Sequence, residues 1–290
     1  MVSLDLLSSL DGLIWLQSGK QVGELFHQHQ TTVSRNLKKC SEVFGFSFQK
    51  SGGKWSIDGD THILDMERQV HQLARLQKKA PLRLDVNYWF DGVFCSPPPD
   101  GWLIGNSKRL GTQHSQELLL SNIVDAWLCP LHEAPSEGEE LKMIHLCKLP
   151  IQLLVSSNHP LLKQGEIKLD QVKSYPIDSI PPKTYPGTDK ILQTIGVSPT
   201  PRRSNKQSIN AETTQEGSAK TIHLGSVLTK NQHGLELVPL QLSLGINTGV
   251  VLITRRENSN KPSILHLTKH LEQHLKSCQS KHPEIQIPSS

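Results

Sequence analysis

The sequence predicts an α/β protein: a small helical domain with one hairpin, then a long helix, then a larger domain of alternating strands and helices. Apolar residues recur at helical spacing through the first 44 residues, and a heptad-like run of apolar residues follows residue 60. From residue 82 onward, strand-like and helix-like segments alternate, which is typical of a sheet covered by helices. We therefore place the first domain at residues 1–59, the long helix at 60–80 and the larger domain at 81–290.

The composition argues against several classes of protein. The mean hydropathy is −0.37, and no apolar run reaches the roughly 18 residues that a membrane helix needs. The first residues lack the basic region and cleavage site of a secretory signal, so we expect a cytoplasmic protein. Five widely spaced cysteines, an odd number, predict reduced thiols rather than a disulfide framework.

Three helices are predicted in the first domain, at residues 4–17, 21–27 and 30–44. The third is the clearest, because its apolar residues form one stripe at positions i, i+4, i+7 and i+11. These residues are Val33, Leu37, Cys40 and Phe44, and Gly45 follows as the expected end of the helix.

The opposite face of the third helix is polar and has no carboxylate before Glu42. Short polar side chains can contact base edges in the major groove of DNA, and cations can bind phosphates. The residues predicted to contact bases are Thr31, Thr32, Arg35 and Asn36, and those predicted to bind phosphates on this helix are Lys38 and Lys39. The window from Lys20 to Lys54 holds six basic and two acidic residues, a net charge of +4, as expected of a nucleic-acid-binding module. An ordinary solvated face is the alternative explanation for this charge.

A hairpin is predicted after the third helix, because Gly52–Gly53 separates two short runs containing Phe48 and Trp55. Lys50 and Lys54 flank the turn and are predicted to bind DNA phosphates. Three short helices followed by a basic hairpin predict a winged helix-turn-helix.

The long helix after residue 60 is predicted to form a dimer. Its apolar seam has the 3-4-3 spacing of a coiled coil, formed by Ile63, Met66, Val70 and Leu73. A small domain offers little surface of its own to cover such a seam. The alternative is that the helix packs on its own domain.

Strands of the larger domain are predicted at 82–86, 102–104, 125–131, 151–156, 175–180 and 250–254, and helices at 115–123, 168–172 and 264–275. Residues 221–228 are predicted to form a strand or the junction between a strand and a helix. Alternating strands and helices predict a mostly parallel sheet. Residues 198–220 are polar and are predicted to form a loop or mobile segment, and the tail from residue 277 is predicted to fray.

Few patterns in the sequence point to catalysis or to a bound metal. Cys129 and His132, with His145 and Cys147, do not have the usual spacing of a zinc site. No nucleophile, base and orienting residue can be recognised together, so we expect no enzyme, no metal and no cofactor.

Several motifs resemble those of LysR-type transcriptional regulators. Residues 30–37 (QTTVSRNL) and 44–48 (FGFSF) are similar to that family's recognition helix and the start of its wing. Residues 149–155 (LPIQLLV) and 158–161 (NHPL) are similar to the point where the family's chain enters the second half of its effector domain, and 249–256 resembles the strand before the terminal helix. The resemblance spans nearly the whole chain.

The resemblance implies DNA contacts from Gln30, Thr31, Thr32, Ser34 and Arg35, and a homodimer or homotetramer. It also implies a periplasmic-binding-protein-like domain of two α/β lobes: lobe one at about 81–149 and 238–276, lobe two at about 150–237, and a polar tail at 277–290. A small-molecule effector would bind between the lobes, where helix N-termini converge. The residues placed there by position are Asn87, Thr112, Ser179 and Thr188.

The chain also departs from the family's pattern. Only fourteen residues, 85–98, separate Leu84 from Pro99, where the family usually has a full helix that begins with an effector-binding residue. One hypothesis is therefore a regulator whose response to a small molecule has been lost or replaced. The functional prediction is a sequence-specific DNA-binding regulator. The alternative is a protein that binds or sequesters a small molecule and keeps a relic DNA-binding domain.

Overall fold

The computed structural model describes both domains and the helix between them. The described residues are 2–90, 94–95, 97–105, 110–178, 183–197, 220–229, 231–232 and 235–288. The predicted effector residue Ser179 lies outside them, and so does the predicted polar loop at 198–220, apart from Lys220.

The N-terminal domain is a winged helix-turn-helix, as predicted. Its elements are α1 (Leu4–Leu16), α2 (Gly19–Leu25), α3 (Gln30–Phe44), β1 (Ser47–Ser51) and β2 (Lys54–Asp58). Ser3 and Ser18 cap the first two helices by accepting backbone hydrogen bonds. Leu6, Leu10 and Cys40 are fully or almost fully buried and join α1 to α3.

The linker helix, α4 (His62–Leu76), packs on its own chain with one face and leaves the other face exposed. Leu64 is fully buried in the core of the N-terminal domain. Arg68, His71, Gln72 and Arg75 are also buried. One face of α4 therefore packs on the N-terminal domain and on the first lobe, while the predicted seam stays exposed.

The first lobe is built on a five-stranded sheet with the strand order β4-β3-β5-β11-β6. These strands are β3 (Leu82–Val86), β4 (Trp102–Gly105), β5 (Ala126–Pro130), β6 (Leu141–Pro150) and β11 (Asn247–Arg255). β3 pairs in parallel with β4 and β5, but β11 pairs antiparallel with β5 and β6. The prediction of a mostly parallel sheet was wrong, because the chain returns from the second lobe along β11 in the direction opposite to its neighbours β5 and β6.

Helices cover both faces of this sheet. On one face lies α8 (Pro262–Gln279), whose Leu267 and Leu271 join a core that includes Leu84 and Val250. On the other face, α5 (Gly111–Leu120) packs against Trp127 and its neighbours.

The second lobe is built on a four-stranded antiparallel sheet with the order β8-β7-β10-β9. Its strands are β7 (Gln152–Ser156), β8 (Ile222–Gly225), β9 (Asn231–Gln232) and β10 (Leu235–Pro239). Two helices, α6 (Leu169–Val172) and α7 (Pro186–Thr194), lie between β7 and β8 in the chain. The chain thus enters the second lobe after Pro150 and leaves it after Pro239.

Several local predictions differ from the structure. The helix predicted at 115–123 is α5, which begins and ends a few residues earlier. The strand predicted at 175–180 is reduced, in its described part, to an isolated bridge between Ile177 and Ile222. The tail is not frayed over its described length: Ile285 is fully buried, and Gln286 pairs with Lys148 at the edge of β6.

Candidate nucleic-acid interface and interlobe cleft

The exposed face of α3 is the surface of the N-terminal domain that is predicted to contact DNA. Val33 and Cys40 are buried beneath the helix, which turns the polar residues outward. The predicted contacts Gln30, Thr31, Ser34, Arg35, Lys38 and Lys39 are all exposed, and Thr32 is half-buried. Lys38 lies 3.9 Å from Glu42 in an exposed i,i+4 pair, which leaves its amine accessible to a phosphate.

Asn36 differs from the other predicted contacts because its amide is used inside the domain. Its Nδ2 donates to Ser9 Oγ at 2.9 Å, and Ser9 Oγ donates to Gln28 Oε1 at 2.6 Å. The side chain therefore joins α3 to α1, and we leave Asn36 out of the proposed base-contacting set.

The wing is a regular two-stranded hairpin with a tight turn. Gly52 and Gly53 both have positive φ, 58° and 85°, which a two-residue turn between antiparallel strands requires. Lys50 lies over the Trp55 ring at 5.0 Å and is exposed near the turn. Lys54 instead lies 4.0 Å from Glu117 of α5, so this predicted phosphate contact is directed toward the first lobe.

The exposed face of α4 is apolar. Ile63, Met66, Val70 and Leu73 are the predicted seam, and they are 67%, 58%, 45% and 55% exposed. A contiguous apolar stripe that is exposed to solvent is typical of an interaction surface. We call these four residues the linker stripe.

Buried ion pairs hold the N-terminal domain and α4 to the first lobe, a feature that the sequence analysis missed. Asp11 of α1 is fully buried; it accepts a hydrogen bond from Arg68 Nε at 2.9 Å and another from Arg83 Nη1 at 3.1 Å. Arg68 belongs to α4 and Arg83 to β3, so one carboxylate joins three elements. Burial and the nearby Arg75 guanidinium lower the pKa of Arg83 to about 10, although the Asp11 carboxylate acts in the opposite direction.

A second buried carboxylate, Asp125, joins α4 to the first lobe directly. It accepts hydrogen bonds from Arg75 Nε at 2.8 Å and Nη2 at 3.0 Å, from Gln72 at 3.2 Å, and from the Arg83 backbone N–H at 2.9 Å. With these donors the carboxylate is satisfied although it is almost fully buried.

Trp15 fills the interface between the N-terminal domain and the first lobe. The side chain is fully buried and belongs to the same apolar cluster as Leu118, Leu119 and Trp127. Its indole N–H donates to Asp85 Oδ1 at 2.8 Å. One sequence signal could have indicated this interface: Leu7, Asp11 and Trp15 share a helix face at spacing four, which places a carboxylate between two apolar residues.

Two of the predicted effector residues meet at the boundary between the lobes. Thr112 lies in the first turn of α5 and Thr188 in the first turn of α7. Thr112 Oγ1 donates to Glu133 Oε2 at 2.9 Å, and Thr188 Oγ1 donates to Glu133 Oε1 at 2.7 Å. Both hydroxyls therefore bind a carboxylate of this chain, which the sequence analysis did not single out.

Asn87 has a different role from these two threonines. Its Oδ1 accepts a hydrogen bond from the Trp89 backbone N–H at 3.0 Å, which caps the short 3₁₀ helix Tyr88–Phe90. Its backbone N–H donates to Leu128 O at 2.9 Å.

The cysteines considered as zinc ligands are buried strand residues. Cys129 of β5 and Cys147 of β6 lie on the two strands that flank β11, where they pair with Val251 and Val250. Burial raises the pKa of Cys147 to about 11, so its thiol is neutral at physiological pH. Within the described ranges, no group of three or more His, Cys, Asp or Glu side chains is arranged to hold a metal ion. None of the helices in the described part of the chain is long and apolar enough to cross a membrane.

A family model described as the LysR substrate binding domain matches residues 108–276, more than half of the chain. No curated protein matches the chain in sequence.

Solved structures with a similar fold extend over nearly the whole chain. A full-length OxyR variant from Pseudomonas aeruginosa matches with a TM-score of 0.53 and 16% identity, covering 94% of this chain and 98% of that chain. A full-length CbnR solved with its target DNA matches with a TM-score of 0.50 and 13% identity, covering 94% of this chain and 99% of that chain. At these identities the similarity shows a shared fold that includes the N-terminal domain, the linker helix and both lobes.

Proposed function

The chain belongs to the LysR family of transcriptional regulators, and we propose that it binds specific sequences of double-stranded DNA as a homodimer or homotetramer. The observation that supports DNA binding most strongly is the exposed face of α3. It carries two threonines, a serine, an arginine and two lysines without a carboxylate in its first three turns. Such a face matches the acceptor-rich major groove and the phosphates beside it.

In the proposed complex, the two α3 helices of a dimer enter successive major grooves of an imperfect palindrome, about 34 Å apart. Gln30, Thr31, Thr32, Ser34 and Arg35 contact base edges, while Lys38, Lys39 and Lys50 bind phosphates. Lys54 is left out of this set because its amine lies beside Glu117 of the first lobe, at 4.0 Å. A ligand or partner that binds the larger domains would act by changing the distance between the two recognition helices.

We expect the Arg35→Ala variant to bind the selected operator about 1–3 kcal/mol more weakly than the wild type, if Arg35 donates to a guanine. The reason is that a bidentate contact to a base is lost while the fold is kept, since Arg35 is exposed. Fluorescence anisotropy with the operator and with a scrambled duplex of equal length measures both affinities.

The Lys39→Ala variant is the matched control, because it removes an exposed cation from the same helix. It should weaken binding to both duplexes equally, and it should reduce the slope of log K against log salt by about one. Equal losses of affinity for both duplexes in Arg35→Ala would instead indicate that Arg35 binds a phosphate. No loss of affinity for either duplex would contradict the proposed contact between α3 and DNA.

The linker stripe is the proposed dimer interface, and its partner is the same stripe of a second copy. Its spacing is that of a coiled-coil seam, and its four residues remain exposed although the other face of α4 is buried. The dimer would bury the large apolar side chains of α4 that are exposed to solvent in the single chain.

A charge placed in the linker stripe should dissociate the protein into monomers. We expect Leu73→Asp to shift the sedimentation equilibrium at micromolar concentration from dimer or tetramer to monomer. The reason is that the dimer interface would bury two carboxylates without a cation to pair with them. The circular dichroism spectrum should stay unchanged, since Leu73 is exposed in the protomer.

Gln69→Asp is the control for the linker stripe, because it adds the same charge at an exposed position of α4 outside the stripe. It should leave the oligomeric state as in the wild type. An oligomer that persists in Leu73→Asp would show that another surface joins the protomers.

The proposed activity is binding and not catalysis, as in the other regulators of this family. A DNA-binding regulator has to share a compartment with its operator, and we propose the cytoplasm, where the five free cysteines would remain reduced. Modulation by a small molecule between the lobes, through Asn87, Thr112, Ser179 and Thr188, stays a prediction.

A further inference from the structure

Glu133 is a buried carboxylate at the meeting point of the two lobes. It ends the 3₁₀ helix Leu131–Glu133, which follows β5 of the first lobe, and its side chain is only 1% exposed. Thr112 Oγ1 of the first lobe donates to Oε2 at 2.9 Å. From the second lobe, Gly187 N donates to Oε2 at 3.3 Å, and Thr188 donates to Oε1 through its backbone N–H at 2.6 Å and its hydroxyl at 2.7 Å.

These donors belong to the first turns of two helices from different lobes. The backbone N–H groups of Gly187 and Thr188 have no acceptor inside α7, because the first turn of a helix leaves its donors free. The positive end of the α7 dipole favours a negative charge at this position. Burial raises the pKa of Glu133, while the hydrogen bonds from Thr188, Thr112 and Gly187 act in the opposite direction.

The lobes touch directly around this carboxylate. Thr112 N donates to Thr184 O of the second lobe at 3.1 Å. A Cβ on Gly187 would lie 1.8 Å from His132 O, and a Cβ on Gly111 would lie 2.2 Å from Thr184 O. Both glycines are therefore required by the close approach of the two lobes.

We propose that Glu133 is a built-in ligand of the interlobe cleft: its carboxylate takes the place of an effector's anionic group and fastens the second lobe to the first. An external carboxylate cannot bind the Thr112 and Thr188 hydroxyls unless Glu133 leaves them. The replacement of an effector by a side chain would agree with the shortened segment at 85–98. This inference goes beyond the proposed DNA binding and does not depend on it.

The test is chemical rescue of a cleft from which the carboxylate has been removed. Glu133→Ala keeps Cβ and removes a fragment whose size and charge match acetate, so acetate is the probe. We expect the variant to lose roughly 5–10 °C in Tm, because charge-assisted hydrogen bonds between the lobes disappear. At fixed ionic strength, 100 mM sodium acetate should restore roughly 3 °C or more of this loss in the variant and leave the wild type unchanged.

Acetamide at the same concentration is the control for size without charge, and it should not rescue the variant. Thr188→Val in the background of Glu133→Ala should abolish the rescue, because it removes one donor to the acetate while keeping the side-chain volume. If Glu133→Ala does not fold, Glu133→Gln is measured instead. Its Tm should lie below that of the wild type, because the amide N–H₂ would face the hydrogen-bond donors that the carboxylate accepts from.

Three results would overturn the proposal: a wild-type Tm in both Glu133 variants, a Tm loss in Glu133→Ala without rescue by acetate, or equal stabilisation of the wild type and the variant by acetate. The measurement uses no DNA, so its failure would leave the proposed DNA binding intact.

Discussion

Replacing Trp15 with alanine should lower the free energy of unfolding by about 3–5 kcal/mol, the usual cost of removing a buried aromatic side chain. The loss has two parts. The indole ring is fully buried among residues of the first lobe, including Leu118 and Trp127, so its removal leaves a cavity between the two domains. The hydrogen bond from Nε1 to Asp85 is lost as well. Denaturation of the full chain in guanidinium chloride measures the sum.

Trp15→Phe separates these two contributions, because phenylalanine keeps most of the apolar contact but cannot donate to Asp85. We expect an intermediate loss, about 1–3 kcal/mol, from the lost hydrogen bond and the smaller ring. A loss below about 1 kcal/mol for Trp15→Ala would contradict the buried interface, since surface substitutions have effects of roughly 0.5 kcal/mol.

The second large effect is expected for Asp11→Ala, also about 3–5 kcal/mol. Asp11 is the shared acceptor of Arg68 and Arg83, both of which are almost fully buried. Its removal takes the carboxylate partner from Arg83 and leaves Arg68 with the half-exposed Asp65. A buried charge that has lost its partner is costly. Urea denaturation of Asp11→Ala and of the wild type at the same pH measures the difference.

A double-mutant cycle of Asp11→Ala with Arg83→Met tests whether this cost comes from the ion pair. We expect a coupling energy of about 0.5–3 kcal/mol, with the double variant less destabilised than the sum of the single variants. Additive effects would show that Asp11 and Arg83 stabilise the fold independently. Asp65→Ala is the control, because it removes a half-exposed partner of Arg68 and should cost little.

Together, Trp15, Asp11 and Asp125 join the winged helix-turn-helix, the linker helix and the first lobe into one packed unit. A signal from the larger domain therefore cannot reach α3 through a flexible hinge at α1. It has to act through the second lobe or, in the proposed dimer, through the arrangement of the two protomers at the linker stripe.

The first and last residues of α3 could be predicted from the sequence, because the signals that define this helix lie within or next to it. Val33, Leu37, Cys40 and Phe44 have the period of a helix, Gly45 adopts the left-handed conformation that ends it with φ of 71°, and Gly52–Gly53 marks the turn of the wing. These features need no knowledge of the rest of the fold.

β6 was missed because its burial does not alternate regularly. A register shift between Val250 and Val251 of β11 interrupts the pairing with β6, so residues 146–147 are buried in succession. A bulge of this kind removes the period-two pattern by which strands are recognised. The direction of β6 and β11 is likewise set by long-range pairing, which periodicity does not encode.

Asp11 and Glu133 could not be assigned from local sequence. A carboxylate on a helix or after a strand is usually exposed, and its burial depends on donors elsewhere in the chain. Glu133 meets donors at residues 112, 187 and 188, which come together only when both lobes have folded. Thr112 and Thr188 were both placed in the cleft, and in the structure both hydroxyls donate to Glu133; their role in binding an effector stays a prediction.

The most direct measurement of sequence-specific DNA binding is fluorescence anisotropy of the full chain with a pool of random duplexes across a salt series, followed by sequencing of the bound fraction. We expect a plot of log K against log salt with a slope steeper than about −4, and enrichment of an imperfect palindrome. A steep slope without enrichment would contradict sequence-specific recognition by α3. No binding at low salt would contradict DNA binding altogether and favour a protein that binds or sequesters a small molecule through its two lobes.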